Sequence, residues 1–303
     1  MKKLFRCMSS CLLSLFVLIP FLTVFAASGQ DRIVKEEPPA PIKQDPEGHL
    51  YEMNYYSDGF FGYGEEGDFR QWSLAHFIPI ALTGIMIFMI YKYRSAISSS
   101  PQEENIRVGI AVLMILSEMS YFWRLLYTGP GGGDYHNMLS YLPLQVCQWT
   151  LLLTSLMIVR KSKSQFSACF FLTHTLGLLP LLVPAVISRT GPAYYRYYQF
   201  WGEHLLPITA VYYMLFVHRM EVKPQGIIGA VSLLGLLSIP AIYVNQMVPS
   251  ANYLYLKPEG VMLDFLPRNE WIVGSLYLMI MVILSAVVYG IYRFLSSRSK
   301  SAV

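Results

Sequence analysis

Cys147 lies in a polar island, Leu142-Pro143-Leu144-Gln145-Val146-Cys147-Gln148, and apolar sequence continues after it from Trp149 to Val159. A thiol, two carboxamides and a helix-kinking proline do not belong on a wall of hydrocarbon, because a buried polar group costs free energy until it finds a partner. The chemistry a thiol offers is nucleophilic: activated by a neighbouring imidazole, its sulfur attacks a carbonyl carbon. Further along the chain, Glu203 and His204 stand side by side in another apolar stretch. His204 is the candidate base for Cys147. Glu203, or Glu118 from an earlier stretch, can orient the imidazole or act as a paired buried acid. Gln145 and Gln148 can donate hydrogen bonds to a developing oxyanion, and Thr150, at i+3 from Cys147, shares its helical face.

Each of these residues also has a plain structural reading. A single cysteine in a membrane helix commonly packs, as Cys169 is expected to do. A lone His such as His174 is a hydrogen-bonded bundle residue. Glu118 can simply stabilise a bundle by pairing with a Gln or His. The chain carries four cysteines, Cys7, Cys11, Cys147 and Cys169, with no CxxC or Cys/His spacing of a ligand cluster. Neither a disulfide framework nor a structural zinc site is expected, and the reading needs no metal and no cofactor.

The elements that must position these residues are membrane helices. Of 303 residues 54% are hydrophobic and only 14% charged, against about 25% charged in a soluble domain. A helix crossing a bilayer needs about 20 mostly apolar residues. Seven such stretches are placed near Trp72–Tyr91, Val108–Tyr127, Leu139–Val159, Phe166–Ile187, Tyr195–Phe216, Ile227–Met247 and Trp271–Phe294. The expected fold is therefore an all-α membrane protein, a seven-transmembrane-helix bundle over residues 72–294.

Loop charge gives the expected orientation. Lys92, Arg94, Arg107, Arg160, Lys161, Lys163, Arg219, Lys223, Arg293, Arg298 and Lys300 fall on one side; Arg124, Arg189, Arg196, Lys257 and Arg268 fall on the other. The cation-rich side is cytoplasmic by the positive-inside rule, which puts the N-terminus outside and the C-terminus inside. The same orientation follows from residues 1–26, which read as a signal peptide (or an anchor helix): Lys2, Lys3 and Arg6, then an apolar run, then Val24-Phe25-Ala26. Residues 27–71 read as an exported flexible linker rich in Pro and acids, and 295–303 as a cytoplasmic basic tail. The net charge of +4 is small and sits mostly in loops, so it speaks for membrane topology and not for nucleic-acid binding. The expected location is the bacterial cytoplasmic (inner) membrane.

Depth can be compared by counting. Cys147 lies about eight residues into the third stretch, or roughly 12 Å at 1.5 Å per residue. Glu203 and His204 lie about eight or nine residues into the fifth, which runs the same way, so the three match in depth. Pro249 to Glu270 is the longest connection between spans and carries Asn252, Lys257 and Asp264; a connection of that length is expected to be a lid or substrate-binding loop.

Three ordered motifs carry a family resemblance. They are Leu142-Pro143-Leu144-Gln145-Val146-Cys147; Tyr198-Gln199-Phe200-Trp201-Gly202-Glu203-His204; and Asn252-Tyr253-Leu254-Tyr255-Leu256-Lys257-Pro258 with Leu263-Asp264 and Trp271. Over the whole bundle the chain resembles the YwaF-like integral membrane family, which includes the eukaryotic transmembrane protein 164. The resemblance implies a thiol-dependent acyltransferase that moves a fatty acyl chain between membrane phospholipids. By motif it places the reactive sulfur on Cys147 and the histidine on His204. Gln145 stands where the family pattern often has His. The expected function is thus a phospholipid acyltransferase or transacylase working through a thioester. The alternative is a non-enzymatic membrane protein that binds or transports a lipid or small solute in the same polar cavity.

Overall fold

The computed structural model describes residues 42–44, 50–52, 60, 69–128, 142–182, 191–248, 251–257 and 266–300. The expected signal peptide, Asp264 and most of the exported linker lie outside them. Within the linker, β1 (Ile42–Gln44) and β2 (Leu50–Glu52) pair antiparallel with Lys43 opposite Tyr51. Between them the sequence carries Asp45, Pro46 and Gly48, residue types common in turns.

The other described elements are helical. They are α1 (Leu74–Ser99), α2 (Glu103–Thr128), α3 (Val146–Arg160), α4 (Lys163–His174), α5 (Leu179–Leu182), α6 (Tyr195–Phe216), α7 (Gln225–Met247), a 3-10 turn (Tyr253–Tyr255) and α8 (Glu270–Lys300). Every apolar stretch read from the sequence holds a helix. Among the described residues five helical segments are long and apolar enough to cross a membrane: Leu74–Ser99, Glu103–Trp123, Lys163–Leu182, Gln225–Met247 and Glu270–Ser297. The other two, α3 and α6, are the ones that bear Cys147 and the Glu203-His204 pair. Helix α3 has 15 residues and so measures about 22 Å, short of a hydrocarbon core of about 30 Å. Helix α6 has 22 residues but is diluted by Arg196, Gln199, Glu203 and His204.

Packing resolves how so polar a helix sits in this fold. Helix α6 is the central post, packed against α1, α2, α3 and α4 and buried over most of its length. Helix α4 packs chiefly on α7, and α7 on α8. The peripheral helices turn Leu82, Ile85, Ile228, Leu236 and Ile283 outward, as lipid-facing walls do. Helices α4 and α7 come close together at Gly226, where an added Cβ would lie 2.4 Å from Ser167 Cβ.

Two boundaries differ from the sequence reading. The fourth stretch is broken after His174. Thr173 and Thr175 turn their hydroxyls back onto the carbonyls of Cys169 (2.9 Å) and Phe171 (2.6 Å), and Gly177 closes the turn through Leu172 O at 2.9 Å. A Cβ at Gly177 would meet the Thr173 carbonyl oxygen at 2.8 Å. The third helix starts only at Val146, just past Pro143. Its N-cap is Gln145, whose backbone N–H donates to Gln148 Oε1 at 3.1 Å, one half of a capping box.

At the end of the bundle away from Cys147, Glu103 on α2 gathers charged and polar partners. His218 Nε2 lies 2.7 Å, Tyr213 Oη 3.2 Å and Arg107 Nε 3.3 Å from its Oε1, and Lys161 Nζ lies 3.0 Å from its Oε2. Arg107 also donates to the carbonyls of Ile158 (2.8 Å) and Val159, so a cation sits on the last turn of α3 as the helix dipole favours.

Candidate functional site

Capping places the thiol. Because Gln145 is the N-cap of α3, Cys147 falls in the first turn, where backbone N–H groups have no carbonyl four residues back to bond. A helix start therefore presents its sulfur beside N–H groups aimed out of the helix. Opposite it, α6 brings Arg196, Gln199, Phe200, Glu203 and His204 onto one face by their three- and four-residue spacing. Helix α2 supplies Glu118 and Tyr121.

The structure brings three of the expected residues together. The Cys147 sulfur, a Glu203 carboxylate oxygen and a His204 ring nitrogen all lie within 4.8 Å of one another. Glu203 and His204 are buried, and Cys147 is partly exposed. Spacing in sequence gave no ligand cluster, yet two distant helices build one in space.

The tautomer of His204 follows from its backbone partner. Nδ1 lies 2.8 Å from the Phe200 carbonyl oxygen. A carbonyl only accepts, so Nδ1 carries the proton and donates it to this bond. The lone pair is left on Nε2, which is the atom that can serve as base. Orientation of the imidazole thus comes from a carbonyl one turn back, with Glu203 left free for another task. Glu203 Oε2 accepts from Gln199 Nε2 at 3.1 Å and faces Arg196 Nη1 at 3.7 Å. The guanidinium of Arg196 stacks over Tyr121 at 4.4 Å from the ring centroid and donates to Gln199 Oε1.

Gln148 and Glu118 join the site from behind. Gln148 Nε2 donates to Glu118 Oε1 at 2.9 Å, so its carboxamide N–H is turned to α2. Gln145 stands at the rim, where its Oε1 accepts from Leu254 N–H at 3.1 Å. This contact ties the loop after α7 to the head of α3. Leu254 and Tyr255 both hold positive φ, 57° and 52°, a region that side-chain-bearing residues rarely occupy.

The two described residues of the expected binding loop are engaged with the loop itself. Asn252 Nδ2 donates to Lys257 O at 2.8 Å, and its Oδ1 accepts from Lys257 N–H at 2.9 Å. Lys257 Nζ reaches the carbonyls of Asn245 and Ala251 (2.9 Å), capping the end of α7. Asn245 pairs with both backbone groups of Tyr253, at 2.7 and 3.1 Å. His174 has the structural setting expected of it, with Nδ1 at 2.8 Å from Phe170 O and Nε2 at 2.9 Å from Tyr212 Oη. His76, near the start of α1, reaches Leu181 O at 2.7 Å and clamps α1 to α5.

Arg196 and Gln199 are site residues that the sequence reading passed over, Arg196 having been counted only as an outer-loop cation. The signal was available: they precede Glu203 by seven and four residues on one helix. The Phe200 carbonyl is a backbone group and has no sequence signature.

Taken as chemistry, the site offers a sulfur nucleophile, an imidazole in the tautomer of a base, and helix-start N–H groups able to receive negative charge on oxygen. No curated protein and no solved structure matches the chain. Residues 71–292, which take in the site and nearly all of the helical bundle, match the model of the TMEM164 family, and the chain belongs to that family.

Proposed function

We propose that the chain is a membrane-embedded phospholipid acyltransferase or transacylase that works through an acyl-thioester on Cys147. The observation that carries this reading is the convergence of the Cys147 sulfur, Glu203 and His204 within 4.8 Å. In the first half-reaction His204 Nε2 accepts the thiol proton as the sulfur attacks the ester carbonyl carbon. The tetrahedral oxyanion forms beside the N–H groups of the first turn of α3. The ester C–O bond then breaks, and the proton on Nε2 passes to the departing oxygen. In the second half His204 takes the proton of an acceptor hydroxyl, whose oxygen attacks the thioester and returns the sulfur with its proton. A site surrounded by bilayer suits substrates that already reside there, and it keeps out water that would hydrolyse the thioester.

In this reading all seven long or apolar segments cross the bilayer, the Lys/Arg-rich loops are cytoplasmic, and lipid enters from the outer leaflet. Purified protein incubated with labelled phospholipid should accumulate a hydroxylamine-sensitive acyl adduct that Cys147→Ser abolishes. An adduct undiminished in Cys147→Ser, or none in the unaltered chain, overturns the covalent mechanism and leaves a non-covalent lipid- or solute-binding cavity.

A further inference from the structure

The residues assigned to nucleophile and base are also a set of metal ligands. A thiolate, an imidazole and a carboxylate are the donor types of zinc sites, and three protein ligands with one open position is the pattern of catalytic zinc. Tetrahedral bonds of 2.0–2.3 Å put neighbouring donor atoms about 3.5 Å apart. One donor atom from each of the three residues lies within 4.8 Å of the others, so closing the cage takes a side-chain adjustment of about 1 Å.

The surroundings match those of a ligand set. A metal-bound His usually donates its other ring N–H to a carboxylate or a backbone carbonyl. His204 does this toward Phe200, 2.8 Å away, and keeps its Nε2 lone pair for a ligand. A ligating carboxylate is itself hydrogen-bonded, and Gln199 holds Glu203 at 3.1 Å. Thiolate and carboxylate together balance a divalent charge, with Glu118 behind them through Gln148. Arg196, 3.7 Å from Glu203, opposes the cation and holds the affinity down.

We propose that Cys147, Glu203 and His204 form a reversible three-ligand site for a divalent transition-metal ion of the zinc class. Metal binding releases the Cys147 thiol proton to solvent and engages both the sulfur and Nε2. The occupied site therefore cannot perform acyl transfer; this second half rests on the acyl-transfer reading, whereas the metal site itself does not. One thiolate and one imidazole favour zinc or cobalt over magnesium or calcium, which prefer all-oxygen shells.

Cobalt(II) reports the site directly, because thiolate ligation gives a charge-transfer absorption that oxygen ligation does not. Titration of the purified full chain in detergent with Co²⁺ should give that band at one ion per chain. Zn²⁺ should displace it, and Mg²⁺ should not. The band should vanish in Cys147→Ser, persist in Cys169→Ala, and need about 10- to 100-fold more cobalt in Gln199→Leu, which removes the hydrogen bond that holds the Glu203 carboxylate. No band in the unaltered chain overturns the site, as does a band that survives Cys147→Ser. Those two results need only proteins that fold normally, shown by an unchanged helical circular dichroism spectrum. Saturating Zn²⁺ should suppress the acyl adduct on Cys147, and an adduct formed at full rate under zinc overturns the inhibitory half. A cobalt band without any adduct leaves the metal site standing and removes the acyltransferase reading; an adduct without a band does the reverse.

Discussion

Gln148 on α3 donates through Nε2 to Glu118 Oε1 on α2, 2.9 Å away. Both side chains are buried, and among the described residues Glu118 Oε2 has no hydrogen-bond partner. The carboxyl group therefore depends on Gln148. Replacing Gln148 with Leu should cost about 1–3 kcal/mol, the penalty for orphaning a buried polar group. The Gln148→Leu/Glu118→Leu double variant should recover part of that loss, because the carboxyl group is then no longer stranded, while the capping bond from Gln145 N–H to Gln148 stays lost. Thermal unfolding in detergent measures both, and a double variant no better than the single would refute the dependence.

His204→Ala removes Nε2 while leaving the sulfur in place. General-base catalysis is worth typically 10²–10⁴-fold, so the rate of adduct formation should fall by roughly that factor. Lipid binding should change little, since the imidazole is assigned to proton transfer. Single-turnover kinetics with excess enzyme separate the two. A fall in binding with an unchanged chemical step would assign His204 to the binding of substrate.

Glu103→Gln disrupts the far end of the bundle. Arg107, Lys161, His218 and Tyr213 all converge on that carboxylate. Removing one partner of a buried ionic network typically costs 3–5 kcal/mol, and the partial exposure of Lys161 brings the expectation down to about 3 kcal/mol. Glu103 is about 22 Å from Glu118 along α2 at 1.5 Å per residue. At temperatures where the variant stays folded, its adduct rate should equal that of the unaltered chain. A slower rate there would reveal coupling between the two ends.

Asn245→Ala tests the loop over the site. Asn245 holds both backbone groups of Tyr253, and the next residue, Leu254, is bound to Gln145. Losing two hydrogen bonds at about 1 kcal/mol each should open the loop roughly tenfold or more. Alkylation of Cys147 by a charged maleimide should accelerate accordingly, read against a background in which Cys7, Cys11 and Cys169 are all replaced by Ala. An unaltered alkylation rate would mean that the loop does not limit access.

The helices, and the meeting of Cys147 with His204, were legible in the sequence for physical reasons. Apolar stretches of about 20 residues have few structures open to them in a bilayer, and counting along the third and fifth stretches matched the depth of Cys147 to that of His204. A pairing of Glu118 with a glutamine was also readable, since a buried acid must find a donor. What stayed hidden depends on neighbours distant in sequence. Lys257 reads as a ligand for substrate, and nothing in the sequence shows that its ammonium group also reaches the carbonyls at the end of α7. The break at Gly177 depends on two threonine hydroxyls competing with helix bonds. Arg196 reads as a loop cation until Glu203, Gln199 and Tyr121 are placed around it. The state of His204 is set by a carbonyl that every residue type possesses.

The shortness of α3 sets a measure for any lipid that meets Cys147. At about 22 Å this helix is about 8 Å shorter than the hydrocarbon core is thick, so on the proposed reading its head sits below the bilayer surface. If the protein is the acyltransferase proposed above, the scissile bond of its lipid substrate has to sit at that one level. Molecules whose labile group rides in the headgroup zone, or far down the tails, fail by altitude before any question of chemical recognition arises.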